Sequence, residues 1–473
     1  MAEPGAARSE DSDSEERAQE DRDRPARSED SDSEERAQED RDRPARSEDS
    51  DSEERAQEDR DRPAGGGAPA RLHALDGLRG LAALVVAVHH VLLTIPALAL
   101  AYLGLDGAVS PEAGTAAWWL FRTPARVVWA GPEAVFVFFA LSGFVLTILA
   151  ERRSGAGRWV GAYAAQRFVR LYVPVWGAVV LAVLLALVVP RVVTSGNPWL
   201  AAHEGAGPGA VVRDFTLVVE TSSLNTALWS LRWEVWFSAL LPVAWWALRR
   251  LPVRGHALAW VSAMIALSAA GRLDAVTSVL PASALSGGFL VFLPIFGIGM
   301  VLARDRVAVA RLGDRLATTR IRWAWPVVVA LAILALVSPT YLGARVPGSV
   351  ADAATHAASL VGVTVLLVAA LEWRAFAALL ERPALQWLGV RSFSLYLVHE
   401  PIVVAAALAL GIGAWGHLPV MAATVVVAVI VAALFYRFLE APSIRLSHQA
   451  RRLVEGAGKR GRRVDEANLP AVR

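Results

Sequence analysis

The sequence predicts an all-α polytopic membrane protein of about ten transmembrane helices with both termini cytoplasmic, and three observations lead there. Hydrophobic residues fill 55% of the 473 positions, more than a soluble core needs. Ten apolar runs read as long enough to cross about 30 Å of hydrocarbon, some of them interrupted by a charge, follow from Leu78 onward. They lie at roughly 78–101, 132–150, 171–190, 228–248, 256–271, 285–303, 323–338, 354–371, 392–411 and 419–438. Arginine then alternates between the loops. Those after the second, fourth, sixth and eighth runs carry five (Arg152, Arg153, Arg158, Arg167, Arg170), three (Arg249, Arg250, Arg254), six (Arg304 to Arg322) and three (Arg374, Arg382, Arg391). Loops after the odd runs carry at most two each, and the C-terminal segment is basic again through "GKRGRR". Arginine-rich loops stay on the cytoplasmic side, which puts both termini inside, and an even number of spans agrees.

The first 69 residues belong to a different class. "ARSEDSDSEERAQEDRDRP" stands three times, at Ala7–Pro25, Ala26–Pro44 and Ala45–Pro63, each copy with four Arg against eight Asp and Glu. Three copies contribute −12, so a formal net charge of +2 conceals about +14 on the rest of the chain. With no apolar face and a proline at each junction, this tail is expected to be a disordered, solvated spacer, joined through "AGGGAPA" to a membrane domain at 70–447. Residues 448–473 read as a basic cytoplasmic tail.

Several function classes drop out. The chain has no cysteine, which removes disulfides, thiolate nucleophiles and cysteine-ligated zinc, and no metal site is expected. No signal peptide is expected, because the first apolar run lies behind a long charged segment. Nucleic-acid binding is not expected either, since the arginines follow the inside loops without aromatic interleaving.

The first run opens "LDGLRGLAALVVAVHH", Leu75 to His90, and sets titratable groups into an apolar helix. His90 follows Arg79 by 11 residues, about 16 Å along a helix and about 20° around it, so the two share a face. His89 is rotated by about 80° from Arg79, which favours His90 for any shared task. A histidine expected near mid-membrane is costly to hold there and points to a cavity or proton path. Other polar groups are expected at similar depth: Ser142 and Gly143 in "FVFFALSGFVLT", Glu234 in "LWSLRWEVWFSALLP", and His399 and Glu400 in "SFSLYLVHEPIV", where Pro401 loosens the backbone. Together they suggest a buried reaction centre.

These stretches resemble the acyltransferase family 3 membrane O-acyltransferases. The resemblance rests on Arg79 and His90 within "DGLRGLAALVVAVHH" and then, in order, on "FFALSGF" (Phe138–Phe144), "RFVRLYVP" (Arg167–Pro174), "LWSLRWE" (Leu228–Glu234), "YLVHEP" (Tyr396–Pro401) and "RFLEAPSIRL" (Arg437–Leu446). It spans about residues 72–447. The chain departs from the family pattern at Gly131-Pro132-Glu133, at Gln166-Arg167 and at Phe393.

The resemblance implies transfer of an acyl group, acetyl or another short one, from cytoplasmic acyl-CoA to a hydroxyl of a glycan, glycolipid or macrolide-like acceptor, in a bacterial cytoplasmic membrane. It implies that Arg79 holds the CoA end and that His90 is the catalytic base, with acyl-CoA as co-substrate and no permanently bound cofactor. Arg79, Arg167 and Arg170 suit phosphate groups, and an imidazole suits deprotonation of a weakly nucleophilic hydroxyl. Ser142, Trp229 and Ser230 join the arginines as expected substrate contacts, and His399, Glu234 and Glu400 join His90 as expected catalytic groups. Either Glu234 or Glu400 could orient the imidazole. The alternative is a proton-coupled multi-span transporter or flippase using Arg79, His90 and Glu234 as a relay. A third reading, an inactive scaffold, sits poorly with intact Arg79 and His90.

Overall fold

A computed structural model describes residues 68–467 apart from short stretches at 105–110, 154–158, 194–195, 206, 281–285, 319–322 and 343–347. The three repeats lie outside the described residues. Among the described residues every regular element is helical. The long helices are α1 (Ala68–Leu92), α2 (Gly131–Arg153), α3 (Trp159–Val188), α4 (Trp229–Arg250), α5 (Ala257–Ala270), α6 (Ser286–Arg304), α7 (Ala324–Leu336), α8 (Ser349–Glu372), α9 (Ser392–Leu410), α10 (Leu418–Phe435) and α11 (Ala441–Ala467).

The second to tenth predicted runs fall on α2 to α10, and the first begins on α1. Among the described residues seven are long and apolar enough to cross a membrane: α1 from His73, α2, α3, α6, α8, α9, and α10 with its flanks. The apolar helices α5 and α7 have 14 and 13 residues, about 20 Å of helix. α4 has 22 residues, but Arg232, Glu234, Arg249 and Arg250 interrupt its apolar character. The chain is thus an all-α membrane protein. Its last helix continues to Ala467, across the boundary at 448 read from composition.

The first run needs correction. The predicted helix over 78–101 is two helices, α1 ending at Leu92 and a short helix at Pro96–Leu103. Pro96 has no N–H to continue the ladder, and Thr94 Oγ1 turns back onto the Val91 carbonyl at 2.7 Å. Asn197 Nδ2 donates to the freed carbonyls of Leu93 (2.9 Å) and Thr94 (2.8 Å), so the buried break leaves them satisfied. His90 therefore sits two residues from the end of α1, not at its middle.

The same device recurs at Pro401 and Pro242. Pro401 deprives the Leu397 carbonyl of its helical partner, and Asn225 Nδ2 supplies one at 3.0 Å. Pro242 does the same to the Ser238 carbonyl, which accepts from the Tyr163 hydroxyl at 3.2 Å. Both substitutes belong to segments that carry site residues.

Helices α2 and α6 approach to backbone contact. A Cβ on Gly143 would meet the Phe296 carbonyl oxygen, and one on Gly299 would meet the Ala140 carbonyl oxygen. Small residues at a crossing allow such packing, and the aromatic stack of Phe139, Phe296 and Phe237 then fills the layer behind it, with centroids 4.5 and 4.2 Å apart. Gly299→Ala is expected to force the helices apart and to cost about 1–3 kcal/mol. A lowered apparent Tm in detergent is the readout; a wild-type Tm would contradict the close approach.

Candidate active site

Six of the residues selected from sequence meet around one cavity of about 230 Å3: Arg79 from α1, Ser142 from α2, Arg167 and Arg170 from α3, and Ser230 and Glu234 from α4. Helical spacing explains the α3 and α4 pairs, because residues three or four apart share a face. Phe138 and Phe139 supply an apolar wall. Trp229 stands behind that wall, packed on Phe139 and Phe292 at 6.3 and 5.3 Å, and does not line the cavity.

The charges in the cavity are unevenly matched. Arg167 Nη2 donates to Glu234 Oε1, which also accepts from Ser142 Oγ at 2.6 Å, and Arg167 Nε donates to Ser238 Oγ at 3.0 Å. Glu234 is thereby committed to Arg167. Arg79 pairs only loosely with Asp76, at 3.6 Å on the surface, and stands within the field of Arg170. Glu440 reaches the same cavity because the backbone widens into a π-helical turn at Tyr436–Glu440, but its carboxylate accepts from the backbone N–H and hydroxyl of Ser394. Such single-turn widenings often mark functional positions. Three arginines thus face two carboxylates that are already engaged.

The histidines form a second cluster beyond Tyr396. His90 Nδ1 lies 3.0 Å from the Val86 carbonyl and 3.0 Å from His399 Nε2, while His399 Nδ1 lies 3.0 Å from the Leu395 carbonyl. A carbonyl can only accept, so both Nδ1 atoms carry hydrogen, and His399 Nε2 accepts from His90. This assignment leaves His90 Nε2 with its lone pair free and no hydrogen-bond partner among the described residues. His399 is fully buried, and His90 is half-buried against the ring of Trp199, 5.7 Å away. His89 faces elsewhere: its Nδ1 is held by the Trp129 carbonyl at 2.9 Å and its ring stacks on Trp129.

Neither expected carboxylate touches His90. Glu400 is bound instead by His203 Nε2 at 2.9 Å, by the Thr226 hydroxyl and by the Ala227 N–H. His203 Nδ1 donates to the Trp199 carbonyl at 2.8 Å, so a single proton is held between His203 Nε2 and Glu400, both side chains fully buried. The loop from Arg191 to Leu228 delivers His203 and Thr226. Arg191 anchors it through the carbonyls of Ser223 (2.8 Å) and Leu224 (2.9 Å). Burial lowers the Arg191 guanidinium from its ordinary pKa, and the nearby Glu400 and Asp214 carboxylates oppose that shift.

Tyr396 separates the clusters. It lines the cavity, its ring lies 5.7 Å from that of His399, and its hydroxyl donates to the Ala227 carbonyl at 2.9 Å while Ser230 Oγ lies 2.6 Å away. Sequence reasoning missed His203, Thr226, Tyr396 and Glu440 as site residues. Tyr396 and Glu440 lie inside quoted motifs and could have been found there, but His203, in "WLAAHEG", carries no local signal.

A family model described as "Acyltransferase domain" matches residues 72–437, more than three quarters of the chain. No curated protein and no solved structure matches significantly. The matched segment takes in both clusters except Glu440, from Arg79 and His90 on α1 to the start of the π turn before α11, so the chain belongs to acyltransferase family 3 and is an integral membrane acyltransferase.

Proposed function

We propose that the protein is an O-acyltransferase that takes a short acyl group from cytoplasmic acyl-CoA and places it on a hydroxyl of a glycan, glycolipid or macrolide-like acceptor, with His90 as general base. We place it in a bacterial cytoplasmic membrane on the family resemblance, and give it ten spans with both termini inside on the arginine alternation of the loops. The observation that carries the chemistry is the free Nε2 of His90, whose tautomer is set by Val86 and His399.

In this mechanism His90 Nε2 accepts the acceptor's hydroxyl proton as the oxygen bonds to the thioester carbonyl carbon. Collapse of the tetrahedral intermediate breaks the C–S bond, and the proton passes to the departing CoA thiolate. The cavity of about 230 Å3 is smaller than the roughly 300–1,000 Å3 of pockets that enclose a drug-sized ligand, so it suits a thioester with a short chain and leaves the nucleotide outside. Arg79 has only the loose surface contact with Asp76, and Arg170 makes no ion pair among the described residues, so both are suited to phosphate. Tyr396 is the partition between thioester and base, and its displacement brings the two together.

Thermal stabilisation tests the donor, because a ligand bound only by the folded state raises apparent stability by mass action. CoA and acetyl-CoA are expected to raise the Tm of the purified wild type, and Arg79→Ala is expected to lose the shift. No shift with either at millimolar concentration would overturn the reading in favour of proton-coupled transport.

A further inference from the structure

Beside the arginine cavity lies a second one of about 250 Å3, and Leu149 and Tyr163 line both. A direct strut also joins them: Arg153, in the second cavity, donates from Nη1 to Oε1 of Gln166, in the first, at 2.9 Å. The second cavity is formed where the C-terminal end of α2 meets the start of α3 and the middle of α11. Its polar lining is Arg152, Arg153, Arg451 and Glu455, with the indole of Trp159.

Three guanidinium groups there face one carboxylate. Glu455 engages Arg451 at 3.3 Å, yet Arg451 Nε is buried with no hydrogen-bond partner. Gln166 engages Arg153 but brings no charge. His448 adds to the imbalance, lying in the combined field of Arg451, Arg170, Arg153 and Arg452. Solvent explains a single arginine at a membrane surface. It does not explain several that converge on a concave site with an unsatisfied buried donor. Arginine forks match phosphate oxygens bidentately, and an indole offers a stacking face to a base.

We infer that this second cavity is the nucleotide subsite for the donor, in which Arg152, Arg153 and Arg451 hold the phosphates of acyl-CoA and Trp159 packs against the adenine. The inference rests on the acyl-CoA reading above. The pantetheine arm then runs past Leu149 and Tyr163 into the first cavity, so the phosphates at the adenosine end lie in the second cavity and the thioester in the first, with Arg79 and Arg170 left to the phosphate next to the arm. The same phosphate chemistry belongs to an anionic phospholipid headgroup, and the experiment separates the two sources.

Binding of acetyl-CoA, acetyl-dephospho-CoA and S-acetylpantetheine is measured on the full-length purified protein and on Arg451→Ala and Arg152→Gln, with and without added phosphatidylglycerol. The expected result is a loss of about tenfold or more in acetyl-CoA affinity for each variant, with S-acetylpantetheine bound as by wild type. That thioester lacks the nucleotide and so also reports that the variants are folded. Should a variant fail to fold, the wild type's preference for acetyl-CoA over S-acetylpantetheine is read alone, and equal affinities would sink the subsite. Acetyl-CoA bound equally by wild type and folded variants overturns the subsite and leaves the acyl-CoA reading standing. Binding of acetyl-CoA that phosphatidylglycerol leaves untouched, while the variants lose only the lipid, assigns the cavity to headgroups and overturns it too. Absence of any acetyl-CoA binding to wild type brings down the acyl-CoA reading itself.

Discussion

His90→Ala is expected to lower kcat for acyl transfer by about 10²–10⁴-fold while leaving the affinity for acetyl-CoA unchanged. The separation follows from geometry. The arginine cavity is lined by Arg79, Arg167 and Arg170, whereas His90 stands beyond Tyr396 with its Nδ1 hydrogen shared between Val86 and His399. Truncation removes the base and no cavity wall. His399→Ala, measured beside it, is expected to act more mildly, because the Val86 carbonyl still holds Nδ1–H and keeps Nε2 as the basic nitrogen. A positioning residue of that kind is rescued in part by His399→Gln, whose amide oxygen can accept from His90. Full turnover by His90→Ala in a folded, membrane-inserted protein would refute the assignment of the base.

Glu400→Ala is expected to give the largest stability loss, about 3–5 kcal/mol, because it strips one partner from a fully buried polar network. The carboxylate accepts from His203, from the Thr226 hydroxyl and from the Ala227 N–H. Water cannot replace it readily where both side chains of the His203 pair are sealed. Glu400→Gln is expected to fall between the two, since its amide keeps the shape and can donate to a neutral His203. A drop in apparent Tm in detergent, larger for Ala than for Gln, is the readout. A Glu400→Ala protein that melts with wild type would show that the network contributes nothing.

Much of the site was legible along the chain. The arginines and the mid-helix acids stand out because ionisable groups inside apolar helices are costly to bury, so each signals a reason for being there. Arg79, Ser142, Arg167, Arg170, Ser230 and Glu234 line one cavity. Their pairing was not legible. Glu234 answers Arg167, 67 positions away, and Glu400 answers His203, 197 positions away, so neither is left to orient His90. Helix ends were misjudged for a related reason. From Val91 through Ala101 no charge marks an end, and the carboxamide of Asn197, brought from 103 positions downstream, makes a break there tolerable.

The sequence by itself determined the helical membrane class, the family and the set of side chains available for chemistry, because hydrophobic length, arginine placement and short motifs are local properties of the chain. Tertiary structure alone decided which nitrogen of His90 is basic, which acid meets which base, and that Tyr396 stands between the arginine cavity and the histidines. Those facts depend on hydrogen bonds between segments far apart in sequence, and the partner of a buried polar group is chosen by which helix packs beside it.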